Sequence, residues 1–199
     1  GRAKSIYAPV SSGQAKALRR AYEHAGYGPE TVELVEAHGT GTKAGDAAEV
    51  GGLKIVFDDE STRESRQWCA LGSVKSQIGH TKASAGSAGL FKIAMALHHK
   101  VIPPTIKVDQ PNSMLDLENS PFYISTQARP WIRGSDHPRR GSVSSFGFGG
   151  TNFHVALQEY NGSGNQADRM RVQPVELFTW SGASAASLRA EVLALIESL

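Results

Sequence analysis

The chain is poor in cysteine, in excess charge and in long apolar runs. A single cysteine, Cys69, stands among 199 residues. It excludes an intrachain disulfide, and with no CxxC pair it removes the common cysteine-built zinc site. No apolar run approaches the roughly 20 residues of a membrane span, and no leader pattern opens the chain. The expectation is a cytoplasmic protein with no membrane partner. Lysine and arginine total 21 against 19 aspartates and glutamates, a net charge of +2. That balance is too even to argue for nucleic acid as a partner. No repeat of 20–50 residues is found. Gly1 stands where an initiator Met would, so a piece of a longer polypeptide is expected.

What is present suffices for a packed core. Apolar residues make up 40% and charged residues 20%, outside the range of disordered chains. The length suits one domain or a little more. Residues 1–10 read as a loop. Ser11 and Gln14 suit a capping box for a helix over about 13–24, striped by Ala15, Leu18, Tyr22 and Ala25. Val32–Ala37 has the length and branching of a buried strand, and a helix over about 47–57 follows, with Asp46 as its N-cap. Residues 58–67 are a polar connection. Trp68–Val74 reads as a second buried strand. A helix over about 83–99 is apolar over a wide arc, as if covered on most sides, and Pro103 and Pro104 stop it. The proline-rich stretch 104–140 is loop-like, with a short strand at Phe122–Ser125. Strands over 141–148 and 152–159 form a hairpin around Gly149-Gly150. NGSGNQAD at 161–168 is a linker by composition, before a strand at Val175–Trp180 and an amphipathic helix bearing Leu188, Val192, Leu195 and Leu199.

This alternation of strand and helix predicts an α/β fold with a mostly parallel sheet covered on both faces. Two or three such units plus a hairpin make a thin sheet. Its apolar elements need more cover than the chain offers, so half of a larger domain is expected. Two units are predicted, 1–160 and 161–199.

The stretch VELVEAHGTGTKAGDAAE places one imidazole, His38, at the carboxyl end of a strand, on a glycine loop lined by Thr40 and Thr42. Ligands bind at that edge of open α/β sheets. His80 stands in a similar setting 42 residues later, after GSVKSQIG. A lone histidine is more often a hydrogen-bonded core residue. Two in matching places favour a shared site, with neutral imidazoles donating to a developing oxyanion. A metal is not expected, because zinc needs a third ligand at useful spacing. Lys75 is either solvated or a buried ammonium paired with Glu36 or Glu49. The glycine loops raise nucleotide binding, but Gly39, Gly41 and Gly45 run one residue too long for the dinucleotide fingerprint, and GFGG precedes a strand rather than a helix. Cys69, inside an apolar strand, reads as a buried structural thiol.

EAHGTGTKAGDAAE, GSVKSQIGHTKASAG and SSFGFGGTNFH, in that order, resemble the three C-terminal motifs of β-ketoacyl synthases on the thiolase fold. The match covers about residues 1–160. It is most similar to iterative multidomain synthases of the enediyne polyketide and polyunsaturated fatty acid types, and the tail from Val175 resembles a post-ketosynthase linker. The resemblance implies decarboxylative Claisen condensation of a malonyl unit with an acyl thioester. It implies His38, His80 and Lys75 as catalytic residues, with Glu49 as the partner of Lys75. Phe148 would gate the pocket and lend its N–H to an oxyanion hole, Asn152 would brace that turn, and Thr40 and Thr42 would bind the pantetheine arm. No cofactor is implied on the chain itself: the substrate rides the 4′-phosphopantetheine arm of an acyl carrier protein. The implied partners are that carrier protein, the absent N-terminal half bearing the nucleophilic cysteine, and a second copy in a homodimer. Cys69 does not match the nucleophile motif, and Gln77 and Lys82 depart from residues common in the family. Two rival readings are a non-elongating scaffold that binds carrier protein and a nucleotide-binding module.

Overall fold

A computed structural model describes residues 9–58, 65–133, 137–162 and 179–198. Residues 163–168 of the linker expected at 161–168, and most of the strand expected at 175–180, lie outside these. Two compact units are present, Gly1–Asn161 and Gly162–Leu199.

The first unit is built on a five-stranded sheet. Its strands are β1 (Leu34–Glu36), β2 (Cys69–Gly72), β4 (Phe122–Ile124), β6 (Arg140–Phe146) and β7 (Asn152–Gln158). They lie side by side in the order β4-β2-β1-β6-β7. The first four of that order run parallel, and β7 returns antiparallel from β6 in the expected hairpin, pairing Phe146 with Asn152 and Arg140 with Gln158. A separate two-stranded ribbon joins β3 (Val101–Ile102) to β5 (Arg129–Pro130). The helices of this unit are α1 (Ser11–Ala25), α2 (Lys43–Phe57), the single turn α3 (Lys75–Ile78) and α4 (Ala85–His99). The second unit contributes α5 (Ala185–Ser198).

Side chains alternate across each strand, so the central strands feed two cores. Val35, Cys69 and Leu71 meet Leu18, Tyr22, Leu53 and Phe57 of α1 and α2 on one face. Leu34, Ala70 and Val143 meet Ile93, Ala96 and Leu97 of α4 on the other. Glu36, two residues after Leu34, therefore points into the α4 side, where it is 1% exposed.

Two helix starts differ from expectation. α2 begins at Lys43, and its N-cap is Thr42, whose Oγ1 accepts the Gly45 N–H at 3.2 Å. Asp46 lies inside the first turn and accepts the Gly41 N–H at 3.1 Å, so the loop is shorter than its glycines suggest. At α1 the N-cap is Val10, with no side-chain cap. Ser11 Oγ instead donates to Ala48 O at 2.8 Å, joining α1 to α2. α4 is also less covered than its composition predicts: Leu90, Phe91 and Met95 are 40%, 66% and 38% exposed.

Candidate active site

The parallel strands all end at one edge of the sheet, and three connections gather there. His38 follows β1. Lys75 and His80 follow β2. The Phe148–Gly150 turn follows β6 and leads into β7. Parts of these connections line a cleft of ≈ 710 Å³ whose walls include His38, Thr40, Thr42, Glu49, His80, Lys82, Phe146, Phe148 and Asn152 but not Lys75. Among the described residues no cluster of three or more histidines, cysteines or carboxylates suits a metal.

The two imidazoles meet edge to face, with ring centroids 5.5 Å apart, and Phe146 flanks His38 at 6.0 Å. Burial lowers the His38 pKa to about 4, and the positive charges available at Lys75 and His80 push the same way. The ring is therefore neutral near pH 7. His38 lines the cleft, and its Nδ1 is buried with no hydrogen-bond partner among the described residues. His80 has a defined tautomer. Lys82 takes the left-handed conformation (φ 54°), turning its N–H back onto His80 Nδ1 at 3.0 Å. A nitrogen that accepts is unprotonated, so the proton of a neutral His80 sits on Nε2.

The loop that carries His38 is pinned from α2. Glu49, 3% exposed, accepts the backbone N–H groups of His38 and Gly39 at 2.7 and 2.8 Å. Gly39 holds φ +50°, and a Cβ there would strike Ser73 at 2.7 Å. Burial raises the Glu49 pKa to about 7 despite these bonds. The expected ion pair of Glu49 with Lys75 is not formed. No Lys75–carboxylate contact within 4 Å occurs among the described residues, and the Glu49 oxygens accept backbone N–H groups instead. Burial lowers the Lys75 pKa, and the attraction opposing that shift comes first from Glu36 and then from Glu49.

Thr40 Oγ1 and Thr42 Oγ1 lie 3.0 Å apart on the cleft wall. Phe148 is 79% exposed at the rim, carried by a turn in which Gly149 and Gly150 both hold positive φ, 81° and 83°. Gly147 N–H donates to Thr151 O at 2.8 Å and closes that turn. Asn152 sits opposite Phe146 on β7, and its side chain makes no hydrogen bond among the described residues. Cys69 does not belong to the site. It is fully buried at the far end of β2, three residues or roughly 10 Å from the strand's carboxyl end at about 3.3 Å per residue.

One pairing that sequence reasoning missed lies directly beneath the cleft. Glu36 Oε2 accepts Lys92 Nζ at 2.8 Å, with both side chains buried, and Glu36 Oε1 accepts the Val74 N–H. The available signal was a lysine between Phe91 and Ile93 in an otherwise apolar helix, a place where lysine needs a carboxylate.

Comparison with known proteins agrees with this geometry. Residues 1–109 match the family described as "Beta-ketoacyl synthase, C-terminal domain", and residues 111–198 the "Ketoacyl-synthetase C-terminal extension". A polyunsaturated fatty acid synthase polypeptide of Thraustochytrium sp. is 46% identical over all of this chain, which spans 7% of that protein. Polyketide synthase PksL of Bacillus subtilis is 44% identical over 80% of this chain and 4% of its own length. Among solved structures, the ketosynthase from module 6 of the B. subtilis bacillaene synthase aligns with a TM-score of 0.76 and 44% identity, covering 80% of this chain and 29% of that one. An oxazolomycin ketosynthase of Streptomyces albus gives 0.73 and 36%, covering 80% and 28%. The first family match spans more than half of the chain, and the fold agrees with the solved ketosynthases: the chain belongs to the C-terminal domain family of the β-ketoacyl synthases.

Proposed function

We propose that this chain is the histidine-bearing half of a ketosynthase that condenses a malonyl unit with an acyl thioester. The observation that supports it most is the pair of imidazoles 5.5 Å apart at the sheet edge. A malonyl thioester carbonyl placed between them receives two N–H donors, from His80 Nε2 and from His38. As the bond between the malonyl carboxylate and the α-carbon breaks, CO2 leaves. The electron pair stays on the α-carbon and spreads onto the thioester oxygen. Donors preset around that oxygen favour this charge over the neutral carbonyl. Keeping His38 neutral matters here, because a neutral imidazole holds its proton while the charge grows. The enolate carbon then attacks an acyl thioester, a carbon–carbon bond forms, and the thiolate departs.

Cys69 is buried among α1, α2 and β2 side chains, so the acyl-carrying thiol comes from polypeptide outside this chain. The exposed apolar face of α4 is where that polypeptide packs. The malonyl unit arrives on the phosphopantetheine arm of a carrier protein, with Thr40 and Thr42 bonding the arm. The Phe148 N–H joins the oxyanion hole for the acyl group, and the complete enzyme is a homodimer. Residues 1–160 form the catalytic portion, and those beyond lead toward the next domain.

The test uses the complete parent polypeptide with malonyl and acyl carrier proteins. Release of CO2 with formation of a 3-ketoacyl thioester is expected. Carrier binding without CO2 release overturns the reading and leaves a non-elongating scaffold.

A further inference from the structure

Beneath the cleft lies a buried ion pair that none of the steps above uses. Glu36 closes β1, two residues before His38, and it points to the α4 side of the sheet. Lys92 reaches it from α4, the helix that follows His80. The Nζ–Oε2 distance is 2.8 Å, and the lysine and glutamate side chains are 8% and 2% exposed. The other Glu36 oxygen accepts the N–H of Val74, the residue before Lys75. One carboxylate thus ties together the strand that ends at His38, the turn that carries Lys75 and His80, and the helix beneath that turn.

The slot is shaped for this pair from two elements. A Cβ at Gly89 of α4 would lie 3.0 Å from Glu36 Cγ and 3.1 Å from Val143 Cγ1. A Cβ at Gly72 of β2 would lie 2.4 Å from Thr105 Oγ1 and 3.4 Å from Lys92 Nζ. Both glycines leave room that a side chain would fill. Isolating two charges from water is unfavourable, and a well-packed apolar pair often serves stability as well. A purely structural role is therefore a weak explanation of the pair. Its connections supply a stronger one.

We infer that Glu36 and Lys92 are positioning residues that set the relative placement of the His38 and His80 loops for malonyl decarboxylation. This rests on the condensation proposed above. Neither group touches the substrate. Their effect is geometric, and small displacements of donors around a reacting oxygen reduce rate far more than binding. The turn at Phe148–Gly150 lies five residues or more beyond Val143, the β6 residue in register with Glu36, and the Glu36 carboxylate is bonded to Val74 and Lys92 instead, so acyl transfer at that turn is expected to change less.

The experiment compares the complete parent polypeptide with its Glu36→Gln, Lys92→Met and Glu36→Gln/Lys92→Met variants. Two reactions are measured separately: CO2 release from malonyl carrier protein, and acyl transfer onto the nucleophilic cysteine. The double variant carries no lone buried charge and decides the matter if either single variant fails to fold. The expected result is a fall of at least tenfold in kcat for CO2 release, with KM and acyl transfer within threefold of wild type. CO2 release within threefold of wild type in the folded variants overturns the inference, as does an equal fall in both reactions. If the unsubstituted polypeptide releases no CO2, the proposed condensation fails rather than the role of the pair.

Discussion

Glu49 gives the most demanding test of how the His38 loop is held. Its buried carboxylate accepts two backbone N–H groups, and burial nonetheless raises its pKa from the usual 4.5 to about 7, with Asp46 adding to the rise. The folded protein therefore holds this proton more tightly than the unfolded chain. Its contribution to stability is fully present below about pH 4.5 and is lost as pH rises through about 7. At about 1.4 kcal/mol per tenfold change in proton affinity, roughly 2–3 kcal/mol disappears between pH 5 and 8. Glu49→Gln abolishes the titration and leaves one of the two N–H donors facing an amide NH2, at about 1–3 kcal/mol. In the complete parent polypeptide, denaturant midpoints and slopes for wild type and variant, taken from pH 5 to 8, report the difference directly. The stability advantage of the wild type shrinks by roughly 2–3 kcal/mol over that range. An advantage that stays constant or grows with pH refutes the claim that burial outweighs the two hydrogen bonds.

Three further outcomes are expected. His38, with its pKa lowered to about 4, stays neutral from pH 8 down to about 5. Its stabilising contribution is present above pH 6.5 and lost as pH falls toward 4. The 15N shifts of its ring therefore titrate near pH 4, and a midpoint near 6.5 contradicts this. Gly141→Ala puts a Cβ 2.9 Å from Ile93 Cγ2 and 3.3 Å from Leu34 O. Such overpacking between sheet and α4 lowers unfolding stability by about 1–3 kcal/mol, and an unchanged denaturation midpoint counts against the packing described. His154 joins Ser144 Oγ at 3.0 Å to Tyr22 OH at 3.1 Å. His154→Ala breaks that bridge between α1 and the hairpin, at about 2–4 kcal/mol, and a loss below 0.5 kcal/mol by the same measurement (within the ordinary range for a surface change) rejects it.

Much of the architecture was legible because its signals are local. The apolar run before His38 and the hairpin glycines each act within a few residues. The placing of His38 and His80 together was legible for a topological reason: parallel strands end at the same edge, and both histidines follow such ends. Side-chain destinations were less legible. Ser11 looks like a cap, but a carbonyl of α2 lies within reach and accepts its hydroxyl hydrogen bond. Glu49 looks like a partner for Lys75, yet its hydrogen bonds go to the backbone N–H groups of His38 and Gly39. Lys92 lies 56 residues from Glu36, and only the folded sheet shows that α4 crosses beneath β1. The exposed face of α4 was anticipated only in outline, from a shortage of cover for a helix so apolar.

The most direct measurement is CO2 release from malonyl carrier protein by the complete parent polypeptide, its nucleophilic cysteine replaced, bearing His38→Ala or His80→Ala. On the proposed mechanism each substitution removes one donor from the developing enolate oxygen, and a fall of about 100-fold or more is predicted for each. Rates within threefold of the unsubstituted protein in both variants contradict the account.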